Sequence, residues 1–329
     1  VELRLLAKIF TLEEAGLASV MRLALEPAAD IAGRAGVAPE EAKSLLKKLV
    51  RKGLISVRKG EGQLLFGLRP FVVGFYEDQL PRMDEEMAAL FEQYYQDSEG
   101  GIARDEPSVH RVIPVGESIS FELEIFPHER ATEMLEGAKS WGVRDCICRV
   151  QQQLVGKGCD RPVENCLVFA SVEGTFEHSE VDRAITREES LQILREAEEA
   201  GLVHSVGNYR DGNHYICNCC TCCCGVLRGV AECGIPTAVA RSDFRAVVEE
   251  ASCTGCGICI ERCQFGALSL RDEVSTVDYV RCLGCGLCAI DCPTGALRVE
   301  RRPAGEVPLP PTDINEWREQ RIEARGLGE

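Results

Sequence analysis

The chain has 329 residues, 45% hydrophobic and 27% charged, a length that fits two or three domains with ordinary cores. Its net charge of −16 excludes wholesale electrostatic binding of nucleic acid, and it has no apolar run of about 18 residues to cross a membrane. Cysteine is the outlier, with 19 residues, an odd number that cannot be fully paired as intramolecular disulfides. Glu2, Arg4 and Lys8 interrupt what would be the apolar core of a secretory signal. These features predict a cytoplasmic protein whose thiolates bind metal.

No cysteine precedes Cys146, and the 19 fall into three groups within 146–292. Charge divides as well. Residues 1–70 hold 12 Lys+Arg and 8 Asp+Glu, net +4, which leaves 25 and 45, net −20, for the remainder. A mildly basic N-terminal module is thus joined to an acidic, metal-rich body.

In chain order, Ala28–Ala35 and Pro39–Arg51 are predicted helices separated by Gly36. Ala42, Leu45, Leu46, Leu49 and Val50 form the apolar stripe of the second. Leu54–Arg58 and Leu64–Leu68 are predicted strands around the turn Lys59-Gly60-Glu61-Gly62. Helix, turn, helix and hairpin together resemble a winged-helix domain over residues 1–76. Lys43, Lys47 and Arg51 share one helix face, with Arg58 and Lys59 at the wing. No Arg/Asn/Gln set is placed for base readout, so protein contact is expected rather than DNA binding. Residues 77–105 read as a connecting helix, apolar at Met87, Leu90, Phe91, Tyr94 and Tyr95, followed by a hinge at Glu99-Gly100-Gly101.

Residues 106–250 read as a Cys-rich domain. Cys146, Cys148, Cys159 and Cys166 have the spacing C-x-C-x10-C-x6-C. Four thiolates suffice for one cubane cluster or one zinc ion. Thr186–Val206 predicts an amphipathic helix, capped by Thr186 with Glu189, that leads to a strand. Residues 217–224 read CNCCTCCC, and six cysteines in eight residues imply commitment to a cofactor. Neighbouring cysteines point apart in extended chain, so this run is expected to serve two sites and to exchange ligands with the CxC segment. His204 and His214 flank the run as candidate ligands or proton donors.

The strongest signal is a duplication. Residues 253–268, CTGCGICIERCQFGAL, match residues 282–297, CLGCGLCAIDCPTGAL, at nine of 16 positions, and each copy carries C-x2-C-x2-C-x3-C. Three close cysteines can serve one cubane while the fourth points away to the other copy. Cys253, Cys256, Cys259 and Cys292 are therefore predicted to hold one [4Fe-4S] cluster. Cys282, Cys285, Cys288 and Cys263 are predicted to hold a second. Residues 251–300 resemble the bacterial-type 2[4Fe-4S] ferredoxins, which implies a βαββαβ fold. Cys292-Pro293 keeps their terminal C-P, whereas Gln264 follows Cys263. Residues 301–329 read as an extended tail, Pro-rich over Arg301–Thr312 and charged, helical at best, over Asp313–Glu329.

A wider resemblance rests on Ile113-Pro114, Cys146-Ile147-Cys148-Arg149, Gly158-Cys159, Pro162, Cys166, Ala200-Gly201-Leu202-Val203-His204 and Ile216–Leu227. On these residues the region 110–300 is similar to Cys-rich 4Fe-4S dicluster proteins of anaerobes. That pattern shares Cys217, Cys219, Cys220, Cys223 and Cys224, treats Cys222 as extra and leaves Cys233 outside. With Cys146, Cys148, Cys159 and Cys166, the shared set would hold one or two further Fe–S clusters.

No Walker A loop, G-x-G-x-x-G or G-x-S-x-G is present, so neither flavin nor nucleotide is expected. The sequence thus predicts an α+β multidomain protein: winged helix, Cys-rich domain and ferredoxin-like dicluster domain. The function expected is relay of low-potential electrons to a partner oxidoreductase, with a second copy of the chain as an alternative partner. Two rivals are a redox-sensing winged-helix transcription regulator and a reductase with a catalytic middle cluster.

Overall fold

The computed structural model describes residues 1–60, 62–118 and 126–326. Glu61 of the predicted turn and residues 327–329 of the predicted tail lie outside them. The chain divides into two compact units, Val1–Asp97 and Ser98–Glu329.

The first unit begins with helices α1 (Glu2–Ile9) and α2 (Leu12–Ser19). A reciprocal capping box between Thr11 and Glu14 starts α2. Strand β1 (Glu26–Pro27) leads into α3 (Ala28–Ala35), which stops where Gly36 takes φ +67°. Helix α4 (Pro39–Arg51) has proline in its first turn and buries Ala42, Leu45, Leu46 and Leu49. Strands β2 (Ile55–Lys59) and β3 (Leu64–Leu68) form a hairpin, and β1 pairs with the outer edge of β3. Lys43, Lys47 and Arg51 remain exposed.

Helix α5 (Glu85–Asp97) corrects the expected connector, because it belongs to the core of this unit. It buries Met87, Ala88, Leu90, Phe91 and Tyr95, and Phe91 stacks on Phe71 at 5.6 Å and meets Tyr76 edge-on at 4.6 Å. Aromatic pairs of this geometry add to simple area burial.

The second unit is built on a seven-stranded sheet. Its elements in chain order are β4 (His110–Val112), α6 (Ala131–Glu136), β5 (Ser140–Asp145), α7 (Ile147–Leu154), β6 (Glu164–Ala170), β7 (Arg183–Ile185), α8 (Arg187–Glu199), β8 (Val203–Gly207), β9 (Tyr215–Cys219), α9 (Gly225–Ala231) and β10 (Val239–Ala240). The strand order is β10-β4-β8-β9-β6-β5-β7, antiparallel except for the β10–β4 edge. Helix α6, through Leu135, and helix α8, through Ile193 and Leu194, cover Ile113, Val143, Leu167, Val206 and Ile216. Thr186 accepts the Glu189 N–H at the start of α8, while the Glu189 carboxylate pairs with Arg183 at 2.7 Å.

The ferredoxin portion starts earlier than its cysteines announce. Strand β11 (Phe244–Val248) pairs along its whole length with β14 (Leu297–Arg301). Between them lie α10 (Ile258–Arg262), the hairpin of β12 (Leu268–Arg271) and β13 (Val274–Val277), and α11 (Leu287–Ile290). The order is βαββαβ, and the expected boundary at 251 moves back to include β11. Asp272 and Glu273, both at positive φ, make the two-residue turn of the central hairpin.

The tail is not extended throughout. Residues 314–324 form helix α12 (Ile314–Ala324), capped by Asp313. It is anchored by buried Trp317, whose Nε1 donates to Ser108 O at 2.9 Å, and by Arg321 on the carbonyls of Asp105 and Pro107.

Gly284 shows how tightly the second cysteine loop is held. Its φ is +73°, and a Cβ there would stand 2.0 Å from Phe244 O on β11. Gly257 has φ +81° but open space around it. Gly257→Ala should therefore cost only the left-handed backbone, about 1–2 kcal/mol. Gly284→Ala should cost at least about 3 kcal/mol and release iron, because backbone must move. Denaturant unfolding and iron content of the two variants check the contrast.

Candidate metal centres

The ferredoxin cysteines form two sets, each drawing on both copies of the motif. Cys253, Cys256, Cys259 and Cys292 line one cavity together with Gly255, Gly257 and Ile258. Backbone and hydroxyl donors point at its sulfurs. Ser275 N–H lies 3.4 Å from Cys253 Sγ, and Ser275 Oγ lies 3.3 Å from Cys259 Sγ. Cys263 stands with Cys282, Cys285 and Cys288. Burial, with Cys263 and Cys282 alongside, pushes the Cys285 thiol up to about 12. Burial and the same neighbours push Cys288 higher still. Ala267 N–H meets Cys263 Sγ at 3.3 Å. Buried thiols that resist ionisation become good ligands once a cluster's positive iron is present.

The eleven remaining cysteines do not gather as the linear spacing suggests. Six act on one another's ionisation in succession around a ring: Cys146 with Cys148, Cys148 with Cys224, Cys224 with Cys219, Cys219 with Cys217, Cys217 with Cys166, and Cys166 with Cys146. The sheet explains the ring. A bulge between Arg144 and Asp145 turns β5 into α7, setting Cys146 at the helix N-cap and Cys148 in its first turn. Cys166 lies on β6, Cys217 and Cys219 on the adjacent β9, and Cys224 caps α9.

The other group is Cys159, Cys220, Cys222 and Cys223, whose sulfurs all lie within 4.8 Å of one another. Cys159 thus parts from Cys146, Cys148 and Cys166, the set suggested by C-x-C-x10-C-x6-C. Cys222, outside the shared pattern, lies inside this quartet. Adjacent Cys222 and Cys223 bring their sulfurs to 3.8 Å because the chain turns there instead of running extended. Cys233 lies half-buried after α9, packed beside Ile235 and Val230.

Arg149 joins the two middle groups. It is fully buried and donates to Pro162 O, to Asn165 Oδ1 at 2.9 Å, to Asn218 O at 2.9 Å and to Cys220 Sγ at 3.5 Å. Burial alone would lower its pKa, but Cys146, Cys220 and Cys219 outweigh burial and hold it charged. Cys220 is drawn well below a thiol's usual value, first by the hydrogen bond from Cys223 and then, against burial, by Arg149. Cys223 is pushed up by that same bond and by burial. Arg161 Nη1 reaches Cys222 Sγ at 3.5 Å. His204 is a buried polar link rather than a thiol neighbour: Nδ1 donates to Asn218 Oδ1 at 2.6 Å, and Nε2 lies 3.1 Å from Glu198 Oε1. The His214 ring lies against Tyr215.

Gln264, in place of the proline of the second motif, crosses from the ferredoxin portion to the dense cysteine run. Its Oε1 accepts the Thr221 N–H at 2.8 Å, and its Nε2 donates to Gly201 O. Sequence reading noted Gln264 only as a departure and missed the roles of Arg149, Arg161 and Cys222. The signals available were the arginine directly after C-x-C and the polar residue at a proline position.

Residues 252–297 match the family model of the 4Fe-4S dicluster domain. Comparison of the chain with curated proteins and with solved structures gave no match. The chain thus contains a ferredoxin-type domain that binds 4Fe-4S clusters, the chemistry of iron–sulfur electron transfer. No helix among the described residues is long and apolar enough to cross a membrane.

Arg149→Met should leave buried thiolates uncompensated in both middle groups, destabilising the second unit by about 3–5 kcal/mol. Metal analysis should show loss from the middle cysteines while the ferredoxin absorption remains, and Arg149→Lys should recover part of the loss.

Proposed function

We propose that the protein relays low-potential electrons through two ferredoxin clusters and one further cluster on the six-cysteine ring, to a partner oxidoreductase docked on the first unit. The observation that carries this reading is the Gln264–Thr221 hydrogen bond. Gln264 follows ferredoxin ligand Cys263, and Thr221 lies one residue from Cys220 and two from Cys219 of the ring. A short route of covalent and hydrogen bonds therefore links the ferredoxin to the middle cysteines.

The clusters supply one-electron exchange when bound. The chain's own residues do the rest. Cys263 with Cys282, Cys285 and Cys288, and Cys292 with Cys253, Cys256 and Cys259, hold the two ferredoxin clusters in crossed fashion. The donors on Cys253, Cys259 and Cys263 delocalise negative charge from sulfur, which raises a cluster's potential relative to a bare site. Arg149 compensates the ring. Its six thiols exceed the four that one cubane takes. Residues 1–76, read as a winged helix, present Lys43, Lys47 and Arg51 to an acidic protein surface.

Anaerobic reductive titration tests the relay. The middle signal should follow the ferredoxin signals after rapid mixing with a one-electron reductant. Gln264→Pro, which restores the ferredoxin pattern but removes both bonds, should slow that step by about tenfold or more while cluster content holds. Iron confined to the ferredoxin, about 8 per chain, would remove the middle redox site from the reading. A specific sub-micromolar DNA complex at physiological salt would replace the docking role.

A further inference from the structure

We propose that Cys159, Cys220, Cys222 and Cys223 bind a single divalent metal ion, zinc or ferrous iron, in a closed tetrahedron of thiolates without inorganic sulfide. Metal–sulfur bonds of about 2.3 Å place the corners of such a tetrahedron about 3.8 Å apart. Cys159–Cys220, Cys159–Cys223 and Cys222–Cys223 are separated by 4.0, 3.7 and 3.8 Å, and no pair in the quartet exceeds 4.8 Å. In a cubane each thiolate binds a different iron, with inorganic sulfide between the irons, so the four sulfurs stand well apart.

The same chain provides the contrast. Cys253, Cys256, Cys259 and Cys292 surround a cavity. Among the described residues no other group of three or more metal-ligating side chains brings its donor atoms as close together as the quartet does. Charge fits a single ion as well. Four thiolates and one divalent cation carry net −2, and the Arg149 and Arg161 guanidinium groups each donate to one of the sulfurs.

All four positions are taken by protein, so the ion has no open site for a substrate. Its role is to tie the loop after α7, which carries Cys159, to the turn after β9. Two of the thiols, Cys220 and Cys223, pack on Ala197 and Leu202 at the end of α8. Thr221, inside the turn, is the residue held by Gln264. One ion thereby fixes the loop onto which the ferredoxin portion docks.

Iron, zinc and acid-labile sulfide are measured per chain on the anaerobically purified full-length protein and on Cys222→Ser. The expected result is one metal ion in excess of the iron matched by sulfide, lost in Cys222→Ser with sulfide unchanged. Zinc in that position marks a redox-inert clip, and iron gives a rubredoxin-like absorption. Wild-type iron equal to sulfide with no additional ion overturns the proposal, and so does a fall of about four sulfides per chain in Cys222→Ser. Should that variant fail to accumulate, wild-type X-ray absorption fine structure at the zinc edge decides, or the Mössbauer spectrum where the excess metal is iron. A zinc ion with a sulfur shell and no neighbouring metal, or a separate high-spin tetrathiolate iron site, supports a single ion, and a zinc–metal distance or iron found only in cluster signals refutes it. The matched iron and sulfide report the clusters in the same sample, so failure here and failure of the relay are distinguishable.

Discussion

A buried thiolate is stable only beside positive charge or N–H dipoles, and much of the second unit is arranged around that requirement. Arg149 meets it for two cysteine groups at once. Its charge acts on Cys146 and Cys219 of the ring and on Cys220 of the quartet, to which it also donates. Its position is fixed by Asn165 and Asn218, and Asn218 is oriented in turn by His204 and by Asn165 O. His204 is backed by Glu198, whose carboxylate also takes the Gly116 N–H. A chain of buried polar groups therefore runs from the end of α8 to a sulfur. A partly satisfied network of this kind would cost more than an apolar core, and most of its donors have partners.

The sheet converts this electrostatic requirement into geometry. Antiparallel β6 and β9 bring Cys166 and Cys217 together although 50 residues of chain separate them. The β5 bulge sets Cys146 and Cys148 at the start of α7, and the turn after β9 carries Cys220, Cys222 and Cys223. The ferredoxin portion is fastened to this frame by Arg301, which makes a two-pronged ion pair with buried Glu129 at 2.8 and 2.9 Å. Arg302 adds a bond to Ser242 O of the frame and ties the ferredoxin portion internally through Cys282 O and Phe244 O. Burial opposes the charge on Glu129, but Arg301 holds its pKa low. The fastening is thus kept above the carboxyl's ordinary range and weakens as pH falls through the lowered value.

How much of this was legible depended on whether local chemistry or long-range packing placed a residue. Helices α3 and α4 and the β2–β3 hairpin announce themselves through Gly36, Pro39 and the apolar stripe. The duplicated motif, with fixed spacing and glycines that must take positive φ, announces the ferredoxin. Strand β11 carries no cysteine and no turn signal, so only its pairing with β14 reveals it as part of that fold. Helix α12 is mostly polar, and its docking rests on one aromatic residue, Trp317, and on Arg321. The division of the middle cysteines was hidden for another reason. Spacing groups Cys159 with Cys166, but Cys166 is fixed by strand register and Cys159 by a loop, and these lead to different sites. The expectation that adjacent cysteines diverge holds for a strand and fails in the turn at Cys222 and Cys223.

Gln264 shows what the departure from the ferredoxin pattern accomplishes. Proline after the fourth cysteine stiffens the chain and offers no side-chain hydrogen bond, and at Pro293 the second copy retains it. At position 264 the chain gives up that stiffness for an amide that accepts from Thr221 and donates to Gly201. Two directed bonds replace the rigidity of one ring, and they point out of the ferredoxin into the cysteine-rich body. Arg262, two residues earlier, does the same through Glu198 O at 2.8 Å. The second motif meets the body through its backbone, where Val115 N–H donates to Cys285 O and Ser242 N–H to Leu283 O, whereas the first reaches it with side chains. A ferredoxin working alone has no use for that asymmetry. A ferredoxin that must exchange electrons with a fixed neighbour gains from it a docking geometry built into one compact unit, so its orientation is set at folding and needs no encounter for each transfer.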